Sequence, residues 1–268
     1  MDKIPVVLIH RGFEPYVQTT IQQAKQFNER IILLGDDRNK HCESFCEWHN
    51  LHDYFGIATE FEKIYEPLST LGDYELFCFQ RWFILHEFVK KNNLDTVFYM
   101  DTDVMLYCNV TKEWEKFKNF IFTLVLKSVG CTSFFTAEGL KDFCKYLYET
   151  YFNKGTYEYD KIASHYHVRQ KHGLPGGVCD MTLLEYYGRY YCANGVGEMT
   201  YNIDGSVFDH CVDQKDYFYE HENGLKKIHM KEGIPYVRNE RTKELVKFNS
   251  LHFQGGSKGY IDQYKSNV

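Results

Sequence analysis

Short apolar bursts alternate with helix-length amphipathic stretches over the first hundred residues. Residues 4–9, IPVVLI, are a β-branched run of strand length. A polar loop, His10-Arg11-Gly12, follows, and helical spacing sets in over residues 15–28. RIILLGDD, residues 30–37, predicts a second strand that ends in carboxylates. Residues 40–55 are predicted helical, residues 61–64 a short strand, and residues 73–92 an amphipathic helix. VFYMDTDVMLY, residues 97–107, is an apolar run that meets two aspartates and then turns apolar again. This alternation predicts an α/β fold with a mostly parallel sheet. Ligands of such sheets bind beyond the carboxyl ends of the strands. The loop after Ile9, the pair Asp36-Asp37 and the pair Asp101/Asp103 would share that edge.

The second half is patterned differently. Residues 121–128 predict a strand and residues 136–152 a helix; residues 172–191 open with a Gly/Pro turn and become helical near Asp180. From 193 to 250 the segments are short and punctuated by Asn194-Gly195, Asp204-Gly205 and Asn223-Gly224, which predicts a meander. No internal repeat, low-complexity tract or linker interrupts the 268 residues, so one mixed α/β domain over residues 1–268 is expected.

Charge and composition exclude several classes. The net charge is −6 and no Lys/Arg-rich block stands out, so no nucleic-acid partner is expected. No run of 18 apolar residues exists and the N-terminal apolar run is only strand-length, so neither a transmembrane segment nor a secretory leader is expected. The nine cysteines, scattered and mostly in apolar segments, read as reduced thiols of a cytoplasmic protein. His41, Cys42, Cys46 and His49 lie within two helical turns, but structural zinc sites draw their ligands from two separated pairs, so half-buried thiols are expected there. Aromatics reach 17%, which suits a Tyr-rich core and sites that grip sugar rings.

Two motifs carry chemistry. Alternate residues of a strand point the same way, so Asp101 and Asp103 project two carboxylates to one side. Ionised carboxylates in an apolar run need a partner, and paired oxygen donors suit Mn²⁺ or Mg²⁺. Near the C-terminus, NSLHFQGGSKGY holds His252-x-x-Gly255-x-x-Lys258: a borderline metal ligand, glycines that let backbone approach a ligand, and a cation for phosphate. A capping role for Asp36, Asp37 and Asp180 and packing of Arg81 among Phe79, Trp82 and Phe83 are alternative readings of those residues.

The two motifs together resemble the GT-A glycosyltransferases, and the spacing of His252, Gly255 and Lys258 looks like that of the retaining glycogenin and galactosyltransferase-like group (family 8-like). The chain differs from that group in following Lys258 with Gly259-Tyr260 where Pro-Trp is usual. The resemblance implies a GT-A fold, with residues 1–107 as the nucleotide-sugar-binding half and residues 108–268 as a smaller, mixed acceptor-side half with a diphosphate clamp. It implies that Asp101, Asp103 and His252 bind Mn²⁺ (or Mg²⁺), with Asp101 and Thr102 also touching the donor. Lys258 and the backbone at Gly255 would hold the diphosphate. Ile9, His10, Arg11, Asp36 and Asp37 would meet the nucleotide, and Arg81 the donor sugar. Asp180 would face the reacting sugar and acceptor; residues 130–135 and 165–172 would line the acceptor side. The implied activity is transfer of a sugar from a nucleotide-diphosphate donor, with UDP the family-level expectation, to a hydroxyl of a glycan or glycoconjugate. A lipid-linked acceptor would require peripheral docking at a membrane. Two other readings remain: a sugar nucleotidyltransferase, for which the loop after the first strand lacks the usual Gly-rich, basic character, and an inactive carbohydrate-binding protein on the same fold.

Overall fold

The computed structural model describes residues 3–127, 129–192, 195–200 and 204–266. The apolar bursts become the centre of a sheet. Strands β1 (Val6–Ile9), β2 (Ile31–Gly35), β3 (Glu47–Asn50) and β4 (Thr96–Met100) are parallel; helix α1 (Pro15–Phe27) joins the first two. Every residue of β1 and β2 is buried, as expected of strands covered on both faces. Side-chain alternation divides them between two cores. Val6, Leu8, Ile31 and Leu33 pack with Val17, Ile21 and Ala24 of α1. Val7, Ile9, Ile32 and Leu34 pack on the opposite face against helices α2 (Gly56–Ile64) and α3 (Asp73–Lys91).

After β4 the chain breaks stride for three residues and re-enters as β5 (Val104–Leu106), which belongs to a different sheet. Helix α4 (Val110–Trp114) and β6 (Thr123–Leu124) lead to β7 (Thr132–Thr136), which closes the first sheet antiparallel to β4, giving the order β3-β2-β1-β4-β7. Helices α5 (Ala137–Phe152), α6 (Tyr157–Lys171) and α7 (Asp180–Tyr186) follow, the last running on as a π-helical turn to Tyr191. The short strand β8 (Gly197–Glu198) pairs with β6. The remaining strands are β9 (Ser206–Phe208), β10 (His221–Glu222), β11 (Leu225–Lys226), β12 (Ile228–Lys231), β13 (Ile234–Arg238) and β14 (Leu245–His252). The second sheet runs β12-β13-β14-β5, with β9 parallel to β14. Its pairing of Val104 with His252 brings the second motif to the first.

Several expectations need correction. Residues 40–55 are not a helix: a 3₁₀ segment (Asp37–Ser44), strand β3 and a 3₁₀ turn (Leu51–Tyr54) occupy them. Residues 61–64 lie inside α2, where Ala58 and Phe61 share its buried face. Of residues 121–127, only Thr123 and Leu124 are strand. Helix α6 was not foreseen, because it buries just Tyr159 and Ile162 and so shows no apolar stripe. The expected meander is present. Asp204-Gly205 and Asn223-Gly224 take positive φ at both residues, and the second pair closes the β10–β11 hairpin. Asn194 lies outside the described residues. Among the described residues, no helix is long and apolar enough to cross a membrane.

Candidate active site

The three-residue break between β4 and β5 is where the motif aspartates sit. The Asp101 amide donates to the Cys131 carbonyl at 2.7 Å, and the Val104 amide turns back to the Asp101 carbonyl at 3.2 Å. The Phe253 amide donates to the Asp103 carbonyl at 2.9 Å, which locks the end of β14 to the same break. Backbone next to the ends of β4, β7 and β14 thus fixes the segment that carries both carboxylates. His252 Nε2 lies 3.5 Å from Asp103 Oδ1 and Lys258 Nζ lies 3.2 Å from Asp103 Oδ2. Among the described residues, ligand atoms of at least three His, Cys, Asp or Glu converge within 4.8 Å in two places: Asp101–Asp103–His252 and Glu75–Cys78–Asp180. His41, Cys42, Cys46 and His49 form no such group. The first set offers two hard carboxylates and one imidazole, a donor set that fits Mn²⁺ or Mg²⁺.

The two aspartates live in opposite electrostatic settings. Burial pushes the Asp101 carboxyl up, with the like charge of Asp103 adding to it and Arg81 pulling against it. Burial acts the same way on Asp103, but the hydrogen bonds and charges of His252 and Lys258 outweigh it and hold that carboxyl below the usual range. Burial opposes a charge on His252, yet Cys131 and Asp103 beside it hold its pKa well above the ordinary imidazole value.

Arg81 is the second organising cation. It projects from α3, its side chain 13% exposed. Nη1 donates to Asp101 Oδ1 at 2.6 Å and to the Tyr99 hydroxyl at 2.9 Å, while Nε and Nη2 donate to Asp180 Oδ2 at 3.0 and 2.6 Å. The Tyr99 hydroxyl donates to Asp101 Oδ1 at 2.6 Å and Trp82 Nε1 to Asp180 Oδ2 at 2.7 Å. Asp180 therefore does not face the cleft as expected: it is 1% exposed and serves as the buried counter-ion of Arg81 at the start of α7. Gly177 makes that possible. A Cβ there would sit 2.1 Å from the Leu68 carbonyl, and the Val178 amide bonds that same carbonyl at 2.8 Å.

A cleft of about 200 Å³ opens over this constellation. Ile9, His10, Arg11, Arg81, Asp101, Thr102, Asp103 and Lys258 line it, joined by Tyr16, Tyr74, Phe77 and Cys78, which the sequence reading did not single out. His10 Nδ1 faces Thr102 Oγ1 at 3.1 Å, and its Nε2 is buried without a partner. Other expected residues lie off the cleft. Asp36 accepts from the Gly12 amide at 2.9 Å and caps the segment after β2, accepting from the Arg38 amide at 3.1 Å. Asp37 is exposed in the first turn of that segment. Gly255, at φ +59°, opens the C-terminal 3₁₀ segment (Gly255–Tyr264) and does not line the cleft. Residues 165–172 are mostly exposed on the second half of α6 and its end, and residues 130–135 lead into and form most of β7. Tyr99 was legible in principle, since it stands two residues before Asp101 and so faces the same side. A larger cavity, about 470 Å³, is walled by Phe208, Phe218, Tyr219 and Phe248, and none of the motif residues line it.

No protein-family model matches the sequence, and no curated protein matches it. Solved structures do match in fold. An active-site mutant of LgtC superposes with a TM-score of 0.50 at 12% identity, covering 99% of this chain and 97% of that one. The bifunctional glycosyltransferase WbbM superposes with a TM-score of 0.50 at 10% identity over 98% of this chain, which spans about half of WbbM (49%). A glycosyltransferase involved in glycosylating the major capsid of PBCV-1 matches at 11% identity, covering 98% of this chain and all of that one (100%), with a TM-score of 0.45. Identities this low speak to the fold alone, and the two structures at a TM-score of 0.50 give it: the mixed α/β chain, with its mostly parallel sheet, has the GT-A fold.

Proposed function

We propose that this protein is a metal-dependent glycosyltransferase that moves a sugar from a nucleotide-diphosphate donor, a UDP-sugar, to a hydroxyl of a glycan or glycoconjugate, with retention of anomeric configuration. The observation that carries the proposal is the convergence of Asp101, Asp103 and His252 within 4.8 Å, with Lys258 on Asp103, at the carboxyl edge of the parallel sheet. A divalent cation held by these three residues would neutralise charge growing on the departing diphosphate. Lys258, 37% exposed along its side chain, is held by Asp103 and lies over the Tyr16 ring, which places its ammonium at the cleft to meet a phosphate. The unpartnered His10 Nε2 offers a hydrogen bond to the nucleoside end. Arg81, clamped between Asp101 and Asp180, presents a fixed cation to the sugar, and Asp180 acts through it as a positioning residue.

Retention is favoured by what lines the cleft. An inverting enzyme needs a carboxylate base across from the leaving group. Among the described lining residues, the only carboxylates are Asp101 and Asp103, both assigned to the cation. Asp180 Oδ2 already accepts three bonds. Proton acceptance by a leaving phosphate oxygen, with the acceptor attacking from the same face, needs no such base. Residues 1–107 are assigned to the donor and residues 108–268 to the acceptor and the diphosphate clamp.

The test is calorimetric titration with UDP and GDP, with and without Mn²⁺, on the wild type, Asp103→Ala and His252→Ala. The proposal expects Mn²⁺-dependent binding of UDP that both substitutions abolish. Binding indifferent to metal and to both substitutions, or no binding at all, overturns it.

A further inference from the structure

Behind His252 lies a polar cluster that does not line the cleft; Asp209 and His210 border the 470 Å³ cavity instead. The segment after β9 runs alongside the end of β14 and is stitched to it. The Asp209 amide donates to Ser250 Oγ at 3.1 Å and the Val212 amide to the His252 carbonyl at 2.9 Å. The His252 amide donates to Asp209 Oδ2 at 3.1 Å, and His252 Nδ1 donates to the His210 carbonyl at 2.6 Å. Opposite stands Lys226 at the end of β11. Its Nζ lies 3.0 Å from Asp209 Oδ1 and donates to the Cys211 carbonyl. The side chains of Asp209 and Lys226 are both 0% exposed.

A wholly buried ion pair is an unusual thing for a fold to keep. Apolar residues of similar volume often stabilise such a spot as well or better, because taking two charges out of water costs about as much as their attraction returns. This pair, however, bonds to what surrounds the imidazole. One oxygen of Asp209 is held by Lys226 and the other holds the His252 peptide plane. Lys226 also holds the Cys211 carbonyl, which fixes the 209–212 turn and with it the His210 carbonyl that receives the Nδ1 proton. With Nδ1 committed to that carbonyl, Nε2 is the nitrogen turned toward Asp103. A second hydrogen bond of this kind orients a metal-ligating histidine and raises its basicity.

We infer that the Asp209–Lys226 pair is a positioning device for His252, setting its imidazole with Nε2 toward the cation site. The cation itself rests on the function proposed above, whereas the setting of the ring does not, and the two are measured separately.

Two variants are compared with wild type. Lys226→Met removes the charge while keeping most of the stem. Asp209→Asn/Lys226→Met removes both charges at nearly constant volume, so that one foldable variant remains if the stranded aspartate unfolds the first. Val89→Ala, a core truncation in α3 remote from the cluster, controls for general destabilisation. In metal-free protein, solvent exchange of the His252 Nδ1 proton is followed by NMR. It is expected to be slow in wild type and Val89→Ala and at least about tenfold faster in the pair variants. Mn²⁺ titration in the presence of UDP is expected to show binding weakened about ten- to a hundredfold in the pair variants. Val89→Ala is expected to bind like wild type. Folded pair variants that keep both the protected proton and Mn²⁺ affinity within about twofold of wild type overturn the inference. A wild type that protects the proton but binds no Mn²⁺ overturns the donor-site reading, while faster exchange in the variants would still uphold the positioning.

Discussion

Arg81→Met is the most informative single change to the scaffold of the site. Arg81 closes a bridge between two carboxylates, and the two ends differ. The Asp180 side chain is 2% exposed, whereas that of Asp101 is 24% exposed and its carboxyl is already pushed toward the protonated form by burial. Without the guanidinium, Asp101 can take a proton or turn toward the cleft. Asp180 cannot rehydrate, and of its three donors only Trp82 Nε1 survives. Stranding one partner of a buried pair costs about 3–5 kcal/mol, so about 4 kcal/mol is expected here. That is a large share of the roughly 5–15 kcal/mol that holds a domain together. With a urea slope of about 3 kcal/mol/M, the unfolding midpoint should fall by about 1.3 M. Adding Asp180→Asn removes the stranded charge and should recover about half of the loss. A drop below about 1 kcal/mol, with no recovery in the double variant, would mean that the bridge is screened like a surface pair. The account of Asp180 as a buried counter-ion would then be wrong.

Two further outcomes follow from the geometry. His210 is 2% exposed, and burial first, then the charge of Lys226, push its imidazole down to about 4. The unfolded chain binds that proton near pH 6.5 and the folded chain does not, so stability should be intact above pH 6.5 and decline by up to about 3 kcal/mol as pH falls toward 4. His210→Phe should flatten that limb in urea titrations taken at successive pH values, and an unchanged limb would remove His210 as its source. Gly177→Ala drives a Cβ into the Leu68 carbonyl and should cost about 1–3 kcal/mol by thermal unfolding. Gly256→Ala, which meets nothing within 4 Å, should be near neutral, and equal effects would refute the crowding argument.

What was legible in the sequence follows from burial. β1, β2 and β4 are covered on both faces, so their apolar runs stand out. β3 is an edge strand, and its EWHN is exposed or half-exposed along its length and offers no run, so the segment around it reads as helix. FEKI at 61–64 is too short to fix a period by itself; Phe61 and Ile64 are one helical turn apart, and α2 takes them that way. The grouping of Asp101 and Asp103 with His252 and Lys258 is legible because each motif is local in sequence. Asp209 and Lys226 share no local pattern, and burial of a charge is set by the 17-residue detour that brings them together, which no periodicity reports. The Glu75–Cys78–Asp180 cluster was hidden for the same reason, although Glu75 and Cys78 sit one turn apart on α3.

The seam at residues 101–103 also orders events in time. The first sheet is complete once β7 has been made, at residue 136, whereas His252 arrives at the far end of β14. At about 5–20 residues per second of synthesis, the first sheet has roughly 6–23 s in which both aspartates are in place but His252 and Lys258 do not yet exist. Until then Asp101 has Arg81 and Tyr99 as partners, while Asp103 has yet to meet His252 and Lys258. Closure of β14 onto β5 spans nearly 150 residues, and docking of the C-terminal segment on α1, as in Gln23–Ser266, spans 243, so the Asp101–Asp103–His252 cluster is expected to be completed late in folding.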